Sequence, residues 1–146
     1  MRKVLAGSEY ADRRAALEAA EAIVGPLRLI DETSALRAIG DRTLRRRARH
    51  VVTENQRVRT TVGALASGDL AEVGQAMIAS HESLRDHFEV STSALDALVD
   101  RLVATPGVYG ARLTGAGFGG CVVALTEPGA LTEGWLVRPS AGARLA

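Results

Sequence analysis

At 146 residues, with 47% hydrophobic, 24% charged and only 3% aromatic side chains, the chain has the composition of one ordinary globular domain with a core of small and aliphatic groups. Its 18 basic and 17 acidic residues are interspersed and give a formal net charge of +1, which excludes a long-range field that would select nucleic acid or an anionic membrane. The single cysteine, Cys121, can form no internal disulfide and no apolar run reaches membrane-spanning length, so a cytoplasmic protein without nucleic-acid or membrane partners is expected.

Residues 2–6 read as a short strand. After it, Tyr10, Leu17, Ala20 and Val24 recur at helical spacing up to Gly25-Pro26, with Ser8 as an amino-terminal cap. A short helical turn around Thr33 to Ile39 leads to a longer helix from about Thr43 to Ala66. Its stripe of Leu44, Ala48, Val51, Val52, Val58, Val62 and Leu65 is closed by Gly68. Asp69 caps a third helix, in which Leu70, Val73, Met77, Ile78, Leu84 and Phe88 share a face. Ser91 or Thr92 opens a fourth, carrying Leu95, Leu98, Leu102 and Val103 and ending at Pro106-Gly107. From Val108 the pattern becomes strand, glycine-rich turn, strand, with a final strand near Trp135 to Arg138. Helices followed by strands, with no repeat and no linker, predict an α+β chain.

The densest local feature is Thr114-Gly115-Ala116-Gly117-Phe118-Gly119-Gly120-Cys121, where four glycines lie within six positions between two predicted strands. Such backbone can turn through positive φ and lets N–H groups or a ligand approach closely, which suits phosphate. The glycines run into a strand pattern instead of a helix, and no Gly-Lys-Ser/Thr follows, so neither the dinucleotide nor the Walker A reading applies. On the glycines alone, a structural hairpin or bulge is the better reading. His50 with Glu54, and His81-Glu82 with Asp86-His87, are thin material for a metal site without a second cysteine. The arginines at 42, 45, 46, 47 and 49 spread over several helical faces and read as a solvated, salt-bridged surface. Cys121, opening an apolar strand, reads as an inert buried thiol. Tyr10 fits either the core or a polyol contact.

Several stretches together, in order, resemble the galactokinases of the GHMP kinase family: GSEYADRRAALE at 7–18, RRARHVVTEN at 46–55, SHESLRDHFEVS at 80–91, PGVYGARLTGAGFGGC at 106–121 and VRPSAGA at 137–143. The resemblance implies an α+β carboxy-terminal GHMP kinase domain over 1–146, ferredoxin-like, with helices on a small mainly antiparallel sheet and residues 1–8 the remnant of a strand from a missing amino-terminal half. It implies that Tyr10 contacts the sugar and that Thr114, Gly115, Gly117, Phe118, Gly119 and Gly120 form the active-site glycine loop. It also implies galactose and ATP as substrates and magnesium as the ion of the intact enzyme, with no metal held by this chain. The family's amino-terminal sugar signature, its phosphate loop and its catalytic base have no counterpart in these residues, so the isolated chain is expected to be inactive. Its helices are expected to present an apolar face where the other half would lie. A sugar-sensing or split-enzyme partner, and a fragment of another GHMP small-metabolite kinase, remain the alternatives. His87 stands where the family has Asp, Leu17 and Thr92 where Cys is common, and a tight loop over 126–134 replaces a crossover helix.

Overall fold

Alanine and leucine favour helix without demanding much volume, and four α-helices account for about half of the chain in the computed structural model, which describes residues 6–138 and 141. They are α1 (Ala6–Val24), α2 (Arg42–Ser67), α3 (Leu70–Ser83) and α4 (Ser93–Val103), and they precede a hairpin of β1 (Val108–Thr114) and β2 (Cys121–Thr126). Two short 3-10 segments, Leu27–Leu29 and Thr33–Ala38, join α1 to α2. Side-chain caps set three of the helix starts: Asp41 accepts from the Leu44 N–H, Asp69 from the Glu72 N–H and Thr92 from the Leu95 N–H. Gly68, at φ 75°, ends α2 in the left-handed conformation that an L side chain resists.

Three apolar clusters hold the elements together. The first joins Ala20 of α1, Leu27, Leu36 and Ile39 of the connecting turns, and Ala48 and Val52 of α2. The second and third lie on the hairpin, where Leu113 packs with Leu84, Val90 and Leu95, and Ala111 with Val99 and Leu102. Leu113 and Ala111 are two residues apart, so one face of β1 serves both clusters. β1 and β2 run antiparallel with Thr114 opposite Cys121.

The opposite edge of β1 is closed by α3. A Cβ added to Gly74 would lie 2.1 Å from the Tyr109 carbonyl oxygen, and one added to Gly110 would lie 2.2 Å from the Gly74 carbonyl oxygen. Helix and strand therefore meet backbone on backbone. Further along, the Leu113 N–H donates to Nδ1 of His81 at 3.3 Å, so a helix side chain takes the place of a neighbouring strand.

Several expectations are corrected. Ser8 lies within α1, which already begins at Ala6, so it does not hold the cap position; of the strand expected over 1–8, residues 1–5 lie outside the described residues. The segment Trp135 to Arg138 is no strand: it is unpaired, and Trp135 is 91% exposed. Its apolar residues find no ladder among the described residues, and a strand is stable only when its backbone groups are paired. The stripe on α2 is buried only in its first half. Val58, Val62 and Leu65 stand exposed on a face that no described element covers, whereas Ala64, in the same part of the helix, is buried. The third helix does not run regularly to Phe88, since Leu84–Phe88 is a widened π turn that ends in Glu89 at φ 55°. Over 126–134 the chain does turn tightly, with Ala130 N–H donating to the Glu127 carbonyl at 3.2 Å.

Two glycine substitutions separate close approach from mere helix propensity. Gly74→Ala is expected to lower the unfolding free energy by at least about 2 kcal/mol, since backbone must move to admit the methyl group. Gly63→Ala, in α2 with nothing within 4 Å of the added carbon, should raise it by roughly 0.5–1 kcal/mol. Urea titrations of both variants check the pair, and a neutral Gly74→Ala would disprove the backbone contact.

Candidate functional site

The glycine-rich loop grows out of the end of β1, and three contacts fix that strand before the loop begins. Gly110 lies on Gly74, Leu113 is bonded to His81, and the Arg112 guanidinium reaches Glu54 of α2 at 3.0 Å. Glu54 also accepts from the Ser80 hydroxyl at 2.6 Å and from Arg57 at 2.8 Å. Burial alone would raise the Glu54 pKa; the Ser80 hydrogen bond and the paired arginines outweigh it and hold the carboxylate below its ordinary range.

Beyond Thr114 the backbone takes positive φ at Gly115, Gly117, Phe118, Gly119 and Gly120 before re-entering β2. The inner side of the loop is seated on Val90. A Cβ at Gly117 would lie 2.4 Å from the Val90 carbonyl oxygen, and the Phe118 N–H donates to that same oxygen at 2.7 Å. The Phe118 ring packs against the cluster of Leu84, Val90, Leu95 and Leu113. Thr114, Gly115, Ala116 and Gly120 are exposed, and a Cβ at Gly115 would meet nothing within 4 Å. One rim of the loop is thus anchored and the other is open backbone that a ligand can approach.

The seat itself is held by arginines. The turn Leu84–Phe88 ends with the Val90 N–H bonded to the Leu84 carbonyl at 3.0 Å, leaving later carbonyls without helical partners. Arg46 donates to the Asp86 carbonyl, Arg47 to the His87 carbonyl, and Arg13 to the Phe88 and Glu89 carbonyls at 2.7 and 2.8 Å. Arg46 pairs with the Glu89 carboxylate at 2.6 Å and Arg47 pairs with it too; the Arg47 bond is the first cause that keeps the Glu89 pKa below its ordinary range. Arg47 is only 4% exposed, so the arginine run is not wholly a solvated surface: one member is buried because Glu89 and a carbonyl neutralise it.

Tyr10 is 57% exposed near the start of α1, which rules out the core reading. Arg13, three residues on and therefore on a neighbouring part of the same helix face, places its guanidinium carbon 5.5 Å from the centroid of Phe118. The helix bearing Tyr10 and the glycine loop accordingly meet at residues 88–90. Cys121 is exposed, contrary to the buried thiol expected: it is the first residue of β2, opposite the exposed Thr114 at the mouth of the loop. The histidines and acids once weighed as metal ligands point to other partners. His50 Nδ1 meets the Ser83 hydroxyl at 2.9 Å, with its ring stacked on Phe88, while His81 Nε2 faces Asp96 at 3.2 Å and Asp86 pairs with Arg85. Among the described residues no three of His, Cys, Asp and Glu gather as a metal site.

Gly74, Arg13 and Glu89 went unnoticed in the sequence as contributors here. A glycine amid the apolar positions of a helix was a signal for Gly74. Nothing local marks Arg13 or Glu89, whose partners lie 42 to 76 residues away.

Comparison with known proteins agrees with this geometry. The family described as GHMP kinases C terminal matches residues 61–134. Galactokinase of Chloroflexus aggregans is 44% identical over 138 residues, covering 87% of this chain and 35% of that protein. Human galactokinase is 45% identical, covering 89% and 34% respectively, and that of Mycobacterium tuberculosis H37Rv is 48% identical, covering 82% and 34%. Among solved structures, Lactococcus lactis galactokinase complexed with galactose superposes with a TM-score of 0.77 at 37% identity, over 86% of this chain and 35% of that one. The chain spans about a third of the length of these relatives. Among the described residues no helix is long and apolar enough to cross a membrane.

The buried histidines give the scaffold a defined acid response. Burial pushes the His50 pKa from its ordinary 6.5 down to about 4, and burial also lowers that of His81. The unfolded chain takes up these protons first, so stability falls as the pH drops from 6.5 towards 4. His50 alone accounts for about 2 kcal/mol lost between pH 7 and pH 5. Thermal melts across that range should show the decline, and His50→Gln should flatten it; an unaltered slope in the variant would contradict a neutral buried imidazole.

Proposed function

The chain belongs to the GHMP kinase family, as a carboxy-terminal domain of it, and from that premise we propose that it serves as the carboxy-terminal part of a cytoplasmic galactokinase. In the intact enzyme the reaction is transfer of the γ-phosphoryl group of ATP to the anomeric hydroxyl of galactose, with magnesium. The observation that carries this reading is the meeting of the Tyr10 helix with the glycine loop at Phe88–Val90, within a chain that aligns with galactokinases over most of its length.

Phosphoryl transfer is achieved mainly by holding donor and acceptor in line and neutralising charge. In this reading the exposed Tyr10 hydroxyl orients the sugar by a hydrogen bond. Thr114, Gly115, Gly117, Phe118, Gly119 and Gly120 form a wall whose open rim lets the substrates lie close to backbone. The acids beside the loop are already engaged, Glu89 by Arg46 and Arg47 and Asp96 by Ser91 and His81. The groups that bind magnesium and activate the sugar hydroxyl therefore belong, in this proposal, to the portion of the relatives that this chain does not align with.

The 146-residue chain alone is expected to show no galactose-dependent ADP formation. Joined behind the preceding part of the Chloroflexus aggregans galactokinase, it should turn over galactose. Tyr10→Phe in that fusion should raise the KM for galactose about tenfold, the worth of one hydrogen bond, and leave the KM for ATP unchanged. Turnover by the chain alone would overturn the division of labour. An inactive but folded fusion, or one that prefers another small metabolite over galactose, would overturn the galactokinase reading.

A further inference from the structure

Tyr10 and the glycine loop are more than a hundred positions apart in sequence, and one side chain joins their elements. Arg13 uses three features of its guanidinium at once. Nε donates to the Phe88 carbonyl at 2.7 Å, Nη2 donates to the Glu89 carbonyl at 2.8 Å, and the guanidinium carbon lies over the Phe118 ring, 5.5 Å from its centroid. Only a planar fork on a long stem can make two hydrogen bonds to successive carbonyls and cover a ring in the same pose; a lysine can satisfy part of this set.

Among the described residues, the part of α1 around Tyr10 has few other anchors. Tyr10, Ala11 and Asp12 are exposed, and the apolar contacts of the helix with its cluster begin at Leu17. The turn that receives Arg13 is by contrast held a second time from α2, by Arg46 and Arg47. Loss of Arg13 therefore loosens the hold on the Tyr10–Arg13 stretch of α1 and uncovers one side of the Phe118 ring, which stays packed on Leu84, Val90, Leu95 and Leu113, while the Phe88–Glu89 turn stays in place.

We infer that Arg13 is a positioning residue that clasps the Tyr10-bearing end of α1 to the glycine loop through Phe118, setting the separation between the tyrosine and the open loop backbone. The use made of that separation rests on the galactokinase reading; the clasp itself rests on the contacts alone.

Two measurements keep these apart. In the 146-residue chain, amide exchange of residues 115–120 should quicken about tenfold in Arg13→Gln, with α3 and β1 amides unaffected. In the fusion with the Chloroflexus aggregans portion, Arg13→Gln should raise the KM for galactose about tenfold with kcat changed less than about threefold, and Arg13→Lys should fall between it and the parent. Phe118→Leu should act in the same direction, and in combination with Arg13→Gln should add less than it does alone, because the two share the guanidinium–ring contact. Unchanged loop exchange, additive effects of the two substitutions, or a loss of kcat at constant KM would overturn the clasp. A parent fusion without galactokinase activity would overturn the functional reading instead, and exchange together with the stability of the double variant would then decide the clasp by themselves.

Discussion

The approach of α3 to β1 sets the geometry on which everything around the glycine loop depends. With Gly74 against the Tyr109 carbonyl and Gly110 against Gly74, no side chain separates helix from strand, and their spacing has no slack. From that fixed line the rest follows by helical and strand periodicity. His81, two turns beyond Gly74, comes level with Leu113, and Ser80 comes level with Glu54, which in turn holds Arg112 on the other side of the strand. The strand reaches Thr114 already constrained on three sides. The loop that follows can therefore be almost devoid of side chains and still have a defined path.

The charges obey the same economy of position. Arg47 and Glu54 are removed from much of the solvent, a situation that costs several kcal/mol per ion unless hydrogen bonds replace the lost water. Each has such replacements: Arg47 a carbonyl and a carboxylate, Glu54 a hydroxyl and two guanidinium groups. These networks do not stabilise the fold merely by being ion pairs. Their contribution lies in direction, since removing one partner strands the other, and so they tie α2 to the turn after α3 and to β1 in a single register.

Much of this was legible in the sequence, for physical reasons that differ by element. The caps at Asp69 and Thr92 and the stop at Gly68 follow from local chemistry and were found where expected. The hairpin was evident because β-branched runs flank a cluster that only glycine tolerates. Trp135 to Arg138 misled because a pattern of apolar residues signals a capacity to pair and cannot supply the partner. The stripe on α2 misled in its second half for a related reason: periodicity marks a face, and only the tertiary structure decides how far its cover extends. The positive-φ path of the glycine loop was legible in its residues, and the roles proposed for it and for Tyr10 rest on resemblance, whereas the contacts of Arg13 and the anchoring by Glu89 have no local signature.

The uncovered face of α2, with Val58, Val62 and Leu65 turned outward, and the bare Trp135-Leu136-Val137 segment have a colloidal consequence. A formal charge of +1 spread over 146 residues gives two copies almost no reason to stay apart, so at high concentration the oily areas meet little electrostatic resistance. Dilution or a pH well removed from the isoelectric point near 8.0, more than a change of salt, is then what governs how long the chain stays dispersed.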